Sequence, residues 1–181
     1  MSELVIDLAP DLAQTEFNFE RWAEIQDDPQ WDAWIGRIET DRLGRVFVSR
    51  HAGYFHACFC RAIILLLERL LKDGIALQEC PVSTADGMRI PDLIWLSNRQ
   101  RARIGGPLGL EAAPEICVEI LSPRNRPREM EEKKALLFAA GAMEVWHCDG
   151  HGRMTFFTGP EAAGSERSAF CPEFPAQVEK S

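Results

Sequence analysis

The chain has 181 residues, 46% hydrophobic and 27% charged, enough to bury one sizeable core and short for two. Its 20 Lys and Arg against 28 Asp and Glu leave a net charge of −8, which speaks against a broadly basic nucleic-acid-binding surface and requires any phosphate-binding cations to be clustered. Six cysteines sit mostly in apolar runs without CxxC pairing, the N-terminus carries acids, and the run AIILLL stops at Glu68, so no disulfide framework, zinc ribbon, signal peptide or membrane span is expected and the location reads as a reducing cytoplasm.

In chain order, residues 17–26 (FNFERWAEIQ) predict a short helix that DDPQ interrupts, with Trp22, Trp31 and Trp34 as packing anchors of an N-terminal lid. Arg37–Thr40 and Arg45–Ser49 are short extended runs around a turn-forming segment, a hairpin. From Tyr54 to Leu71, Ile63, Leu66, Leu67 and Leu70 keep helical spacing opposite Glu68, Arg69 and Lys72, which predicts the main core helix, ended by Asp73-Gly74. Ile75–Ser83 and Arg89–Ser97 read as extended antiparallel neighbours divided by Ala85, Asp86 and Gly87, and RQRARIGGPLG as a loop. EICVEIL at 115–121 has the apolar, β-branched look of an interior strand. Residues 127–140 open with Pro127, place Glu129, Glu131 and Glu132 in the first turns and close at Gly141, so a helix is expected there. Strands at Met143–Cys148 and Arg153–Thr158 complete the sheet, and the tail reads as an irregular strap. The expectation is therefore one α/β (α+β) domain over residues 1–181, with a helical lid at 1–35 and a C-terminal strap at 160–181.

Two residues resist that apolar pattern. Glu119 lies inside the EICVEIL strand, and Asp92 follows Ile90-Pro91 and precedes Leu93-Ile94-Trp95. A buried acid must face a cleft, pair with a base or bind a cation. On adjacent strands the two carboxylates would repel, and a divalent ion that prefers hard oxygen, Mg²⁺ or Mn²⁺, relieves that best. Lys133, on the first turns of the following helix, could reach back to orient a water there, as could Lys134. Carboxylates, ion and lysine together have the logic of metal-assisted phosphodiester hydrolysis. Each also has an ordinary reading: Asp92 as a strand-end cap, and the lysines as a solvated helix face paired with glutamates.

The segments IPDLIWL, PEICVEILSP and REMEEKKALLFAAGAMEVW resemble the Uma (Uma-two) family of restriction-endonuclease-like proteins, of the PD-(D/E)XK nuclease fold. Pro91-Asp92, Glu119 to Pro123, Glu129, Lys133 and Gly141 to Trp146 follow the family's order. Counting back from Gly141 assigns the family lysine to Lys133, whereas counting from Phe138 would assign Lys134; the longer match supports Lys133. Glu39 resembles the glutamate of the family's first hairpin and His56 a histidine opening its long helix, both placed beside the site rather than in it. Leu121 stands where many PD-(D/E)XK enzymes carry the lysine, and Glu129 where an aspartate is commoner. The resemblance covers roughly residues 37–175 and implies a restriction-endonuclease-like mixed sheet flanked by helices, Mg²⁺ chemistry on DNA, and a homodimer.

Arg99, Arg101 and Arg103, and Arg124, Arg126 and Arg128, follow the two acid-bearing strands and are candidate phosphate contacts, or ordinary surface arginines. His147, Cys148, Asp149 and His151 are too few and too poorly spaced for a structural zinc. Three functions compete: a divalent-metal endonuclease; a non-cleaving nuclease-fold module that binds DNA or regulates; and a structural dimer in which the acids are ion-paired, with Glu119 on an arginine.

Overall fold

The computed structural model describes residues 12–31, 36–50, 53–123 and 125–180. Helix α1 (Leu12–Asp27) leads, through a single turn at Pro29–Trp31, to the antiparallel hairpin of β1 (Gly36–Thr40) and β2 (Val46–Arg50). The core helix α2 (Tyr54–Leu70) then buries Phe59, Ile63 and Leu67, residues four apart that share one face.

The two extended segments that follow do pair as antiparallel neighbours, but each is broken in two. The first divides into β3 (Gly74–Gln78) and β4 (Val82–Thr84), the second into β5 (Gly87–Arg89) and β6 (Leu93–Ser97); β3 pairs with β6 and β4 with β5. The break falls at Glu79, whose φ of 48° bends the chain out of the sheet, opposite Ile90-Pro91-Asp92. Asp92 thus lies at the corner where β6 begins.

The segment expected to be an Arg- and Gly-rich loop contains helix α3 (Asn98–Ile104) and the two-residue strands β7 (Gly105–Gly106) and β8 (Gly109–Leu110). Ser97 caps α3 by accepting the Gln100 N–H at 3.1 Å. After β9 (Ile116–Ile120), α4 (Pro127–Ala139) crosses back to the parallel neighbour β10 (Glu144–Cys148), and β11 (Met154–Phe157) turns antiparallel beside it.

The main sheet has the order β11-β10-β9-β6-β3, and a smaller one the order β5-β4-β8-β7. Side-chain alternation assigns Trp95, Val118 and Trp146 to the α2 face and Ile94, Cys117 and Val145 to the face covered by α3 and α4. Glu119, two residues from Cys117, therefore faces α4. A third cluster joins Trp22 and Ile25 of α1 to Met88 and Ile90. Trp31 packs against it, in keeping with the anchor role expected of the tryptophans; Trp34 lies outside the described residues. Beyond β11, among the described residues, the chain makes isolated bridges, Phe156 with Ser165 and Arg153 with Gln177. Among the described residues no helix is long and apolar enough to cross a membrane.

Candidate active site

The corner before β6 directs the Asp92 carboxylate between the start of α2 and the face of β1, where it is 4% exposed. Oδ1 meets Arg37 Nη1 at 2.5 Å; Oδ2 accepts the Ile120 N–H at 2.7 Å and lies 3.2 Å from His56 Nε2. His56 Nδ1 in turn lies 3.4 Å from the Cys60 thiol one helical turn on. Burial alone would raise the Asp92 pKa, but His56, Arg37 and the Ile120 N–H outweigh it and hold the group down at about 2. Burial would likewise lower His56, yet Asp92 and Cys60 outweigh it and lift the imidazole to about 10, so this pair is ionised at neutral pH.

Glu119, one residue from the end of β9, has a different environment. Lys133 Nζ reaches across from α4 to within 2.7 Å of Glu119 Oε1 and 2.9 Å of Glu39 Oε1, and donates to the Ile90 carbonyl at 2.8 Å. Glu39 also accepts the Ile90 N–H at 2.7 Å, so the hairpin and α4 together hold Ile90, two residues ahead of Asp92. The Glu119–Lys133 contact is an ion pair out of hydrogen-bond alignment, and the buried Oε1 has no aligned donor. Burial, reinforced by the negative charge of Asp92, prevails over Lys133 and Arg37 and pushes Glu119 up to about 7. Lys133 itself, facing both Glu119 and Glu39, is held charged although burial opposes it.

Arg37 and Glu39 are two residues apart on β1 and so project from one face of the hairpin. That face and α4 bound a cleft of about 590 Å³ whose walls include Arg37, Glu39, Phe47, Glu119 and Lys133. Asp92 lies behind the wall, reached through Arg37.

Among the described residues no three His, Cys, Asp or Glu side chains are gathered as a ready cage for a metal ion. The donors that are present nevertheless fit a magnesium-like ion, which is held by one or two carboxylates and completed by water and substrate phosphate. The specific sign is Glu119: its buried carboxylate has the Lys133 ammonium at 2.7 Å without an aligned hydrogen bond, and burial beside a second carboxylate still disfavours its charge, which a further cation would relieve.

The structure thus brings these residues into one cluster, with Glu119, Lys133 and Glu39 lining the cleft and Asp92 and His56 behind its wall. Lys134 points elsewhere: it pairs with Glu131 at 2.6 Å and lies 4.2 Å from the centre of the Phe157 ring. Arg101 and Arg103 ride on α3, and Arg101 lines a separate, largely apolar cavity beside Cys80 and Leu110, so neither reaches the cleft. Arg126 is exposed at the mouth of α4, 3.5 Å from Glu129, which lines the cleft; Arg124 lies outside the described residues. His147 is buried against Phe157 and held down at about 4 by burial and Lys134, while His151 stays exposed on a turn, so these histidines do not gather.

Sequence reasoning missed Arg37, the partner of Asp92. The signal was the alternation Arg37-Ile38-Glu39, which sets a cation and an acid on the same strand face. Three cations, Arg37, His56 and Lys133, face three carboxylates, Glu39, Asp92 and Glu119.

A mixed sheet with an acid-bearing corner, an acid-bearing central strand and a lysine on the crossover helix places the chain in the class of nuclease-like folds. A crystal structure described as a "putative nuclease belonging to DUF820" from Anabaena variabilis superposes with a TM-score of 0.66, covering 86% of this chain and 93% of its own at 15% identity. The Uma2 family, described as "Putative restriction endonuclease", matches residues 19–177, and the chain belongs to that family. No curated protein matches it.

Proposed function

We propose that the protein is a divalent-metal-dependent endonuclease that hydrolyses DNA phosphodiester bonds, with Asp92 and Glu119 as the ligands of Mg²⁺ or Mn²⁺ and Lys133 as the group that handles the attacking water. The observation that carries this reading is the buried trio itself: Glu119 with an unaligned Oε1, Asp92 close enough to raise its pKa, and one lysine between Glu119 and the hairpin. When bound, a divalent ion supplies Lewis acidity and charge neutralisation at the scissile phosphate.

Lys133 is held cationic, which suits orienting a water and stabilising negative charge rather than removing a proton. Glu39 and the Ile90 carbonyl fix its Nζ, so that the ammonium stays at the cleft wall. His56 and the Ile120 N–H fix the Asp92 carboxylate from behind. Exposed Arg126 at the cleft mouth, and Arg124 two residues before it in sequence, would contact the DNA backbone; Arg101 and Arg103 would serve only a duplex that wraps as far as α3. Six free cysteines suit a reducing cytoplasm, and the working unit in this reading is a homodimer.

A supercoiled plasmid incubated with purified protein tests the reaction. Nicking is expected with Mg²⁺ or Mn²⁺, and none with EDTA or with Asp92→Ala that retains its fold. The second reading, a non-cleaving module that binds DNA or regulates, is favoured by the net charge of −8 and by Asp92 having both oxygens engaged. DNA binding without metal-dependent nicking would establish it instead.

A further inference from the structure

This inference rests on the metal-nuclease reading above and concerns a residue which that reading leaves without a role. Arg37 stands between Asp92 and the cleft: it lines the cleft wall, whereas Asp92 does not. Its side chain is 21% exposed against 5% for Asp92. Asp92 Oδ2 is already engaged by the Ile120 N–H and His56, so Oδ1, the oxygen under Arg37, is the one that an incoming cation would share. Both hydrogen bonds that Arg37 makes among the described residues, to Asp92 and to the Ile90 carbonyl at 3.0 Å, run through Nη1. The rest of the guanidinium fork is therefore left for a second anion, and a planar fork at a cleft wall suits a phosphate diester.

We propose that Arg37 is a positioning residue that exchanges partners: it covers Asp92 Oδ1 in the resting protein and turns to a DNA phosphate in the cleft when a divalent ion occupies Asp92. Metal and substrate then favour each other, because each takes over a charge that the other has released. The exchange breaks one charge-assisted hydrogen bond and forms another, with no covalent change. Without DNA, Arg37 competes with the ion, so the free protein binds metal more weakly than its carboxylates alone would allow.

The test measures Mn²⁺ affinity by electron paramagnetic resonance, and affinity for a short DNA duplex by fluorescence anisotropy with Ca²⁺, another oxygen-seeking divalent ion, occupying the carboxylates, for wild type, Arg37→Ala and Arg37→Lys. Removing a fixed positive charge from a carboxylate changes its cation affinity much as it changes its proton affinity, so Arg37→Ala should bind Mn²⁺ about tenfold more tightly or better. The same variant should bind DNA more weakly, and Arg37→Lys should fall between. A merely structural role would weaken both or neither. If wild type binds Mn²⁺ and Arg37→Ala binds it no more tightly, the exchange is overturned and the metal site stands. If neither binds Mn²⁺, the metal site falls and the exchange with it. Thermal denaturation checks the fold, and Arg37→Gln replaces Arg37→Ala in the same comparison should the alanine variant unfold.

Discussion

Glu119 and Glu144 are both buried acids in apolar strands, on β9 and its parallel neighbour β10, and their surroundings could hardly differ more. Glu144 faces the α2 side, where Trp146 Nε1 and Ser168 Oγ each donate to Oε2 at 2.6 Å and the Ala169 and Phe170 N–H groups donate to Oε1 at 2.6 and 3.0 Å. Four neutral donors satisfy it and tie the C-terminal strap to the sheet. Glu119 faces the α4 side with one lysine, a nearby second carboxylate and an oxygen lacking an aligned donor. A buried acid is thus not in itself a functional sign; what separates the two is whether the fold has provided its donors.

That contrast can be broken by substitution, and the largest effects fall on chemistry. Asp92→Asn and Lys133→Met should each reduce metal-dependent plasmid nicking by about 10²–10³-fold or more. Lys134→Met, on the neighbouring residue, should leave the rate of the folded protein within a few-fold, because its contacts are Glu131 and Phe157. Equal losses at both lysines would contradict the assignment of Lys133.

Glu144→Leu should show the opposite profile. Removing the acceptor orphans four donors, two of them on the buried Trp146 and Ser168 side chains, and costs about 3–5 kcal/mol by urea denaturation, while nicking per folded molecule is unchanged.

The His56–Asp92 pair sharpens the comparison through pH. His56 is raised to about 10 in the fold, so its stabilisation is complete below its unfolded pKa near 6.5 and is lost as pH rises through 10. Asp92, lowered to about 2, keeps its contribution above pH 4 and loses it only below. His56→Ala should therefore cost about 1–3 kcal/mol at pH 6, with the difference from wild type narrowing toward pH 10 in denaturation curves.

Glu119 runs the other way. Its pKa is raised to about 7, so the folded state resists its ionisation and loses stability as pH climbs from about 4.5 through 7. Glu119→Gln, spared that cost, should be more stable than wild type by about 1–2 kcal/mol at pH 8 and nearly equal to it at pH 4.5.

Much of this was legible in the sequence because local signals agreed. Helix α4 follows from Pro127 at its first turn and the stop at Gly141, and β9 from its β-branched run. The acids Asp92 and Glu119 were visible as breaks in apolar pattern. The rest depended on tertiary contacts. The division of the two extended segments depends on a single residue, Glu79, in the left-handed region, a conformation that a non-glycine adopts only when its surroundings impose it. Helix α3 was hidden by the glycines that follow it, Gly105 and Gly106, although Ser97 and Gln100 have the spacing of a capping box and could have shown it. Arg37 was overlooked because a cation on a short hairpin looks solvent-facing until the hairpin is folded against Asp92. Sequence treated Glu144 as part of an ordinary strand, and its four donors come from β10 itself and from the strap, 24–26 residues downstream for three of them.

The most direct measurement is calorimetric titration of Mn²⁺ into wild type and Glu119→Gln at pH 8, where the variant is expected to be the more stable protein, so that lost binding cannot come from lost fold. One Mn²⁺ site in wild type and none in the variant is the predicted result. Equal Mn²⁺ binding by the two, or none by wild type, would contradict a metal centre built on Asp92 and Glu119.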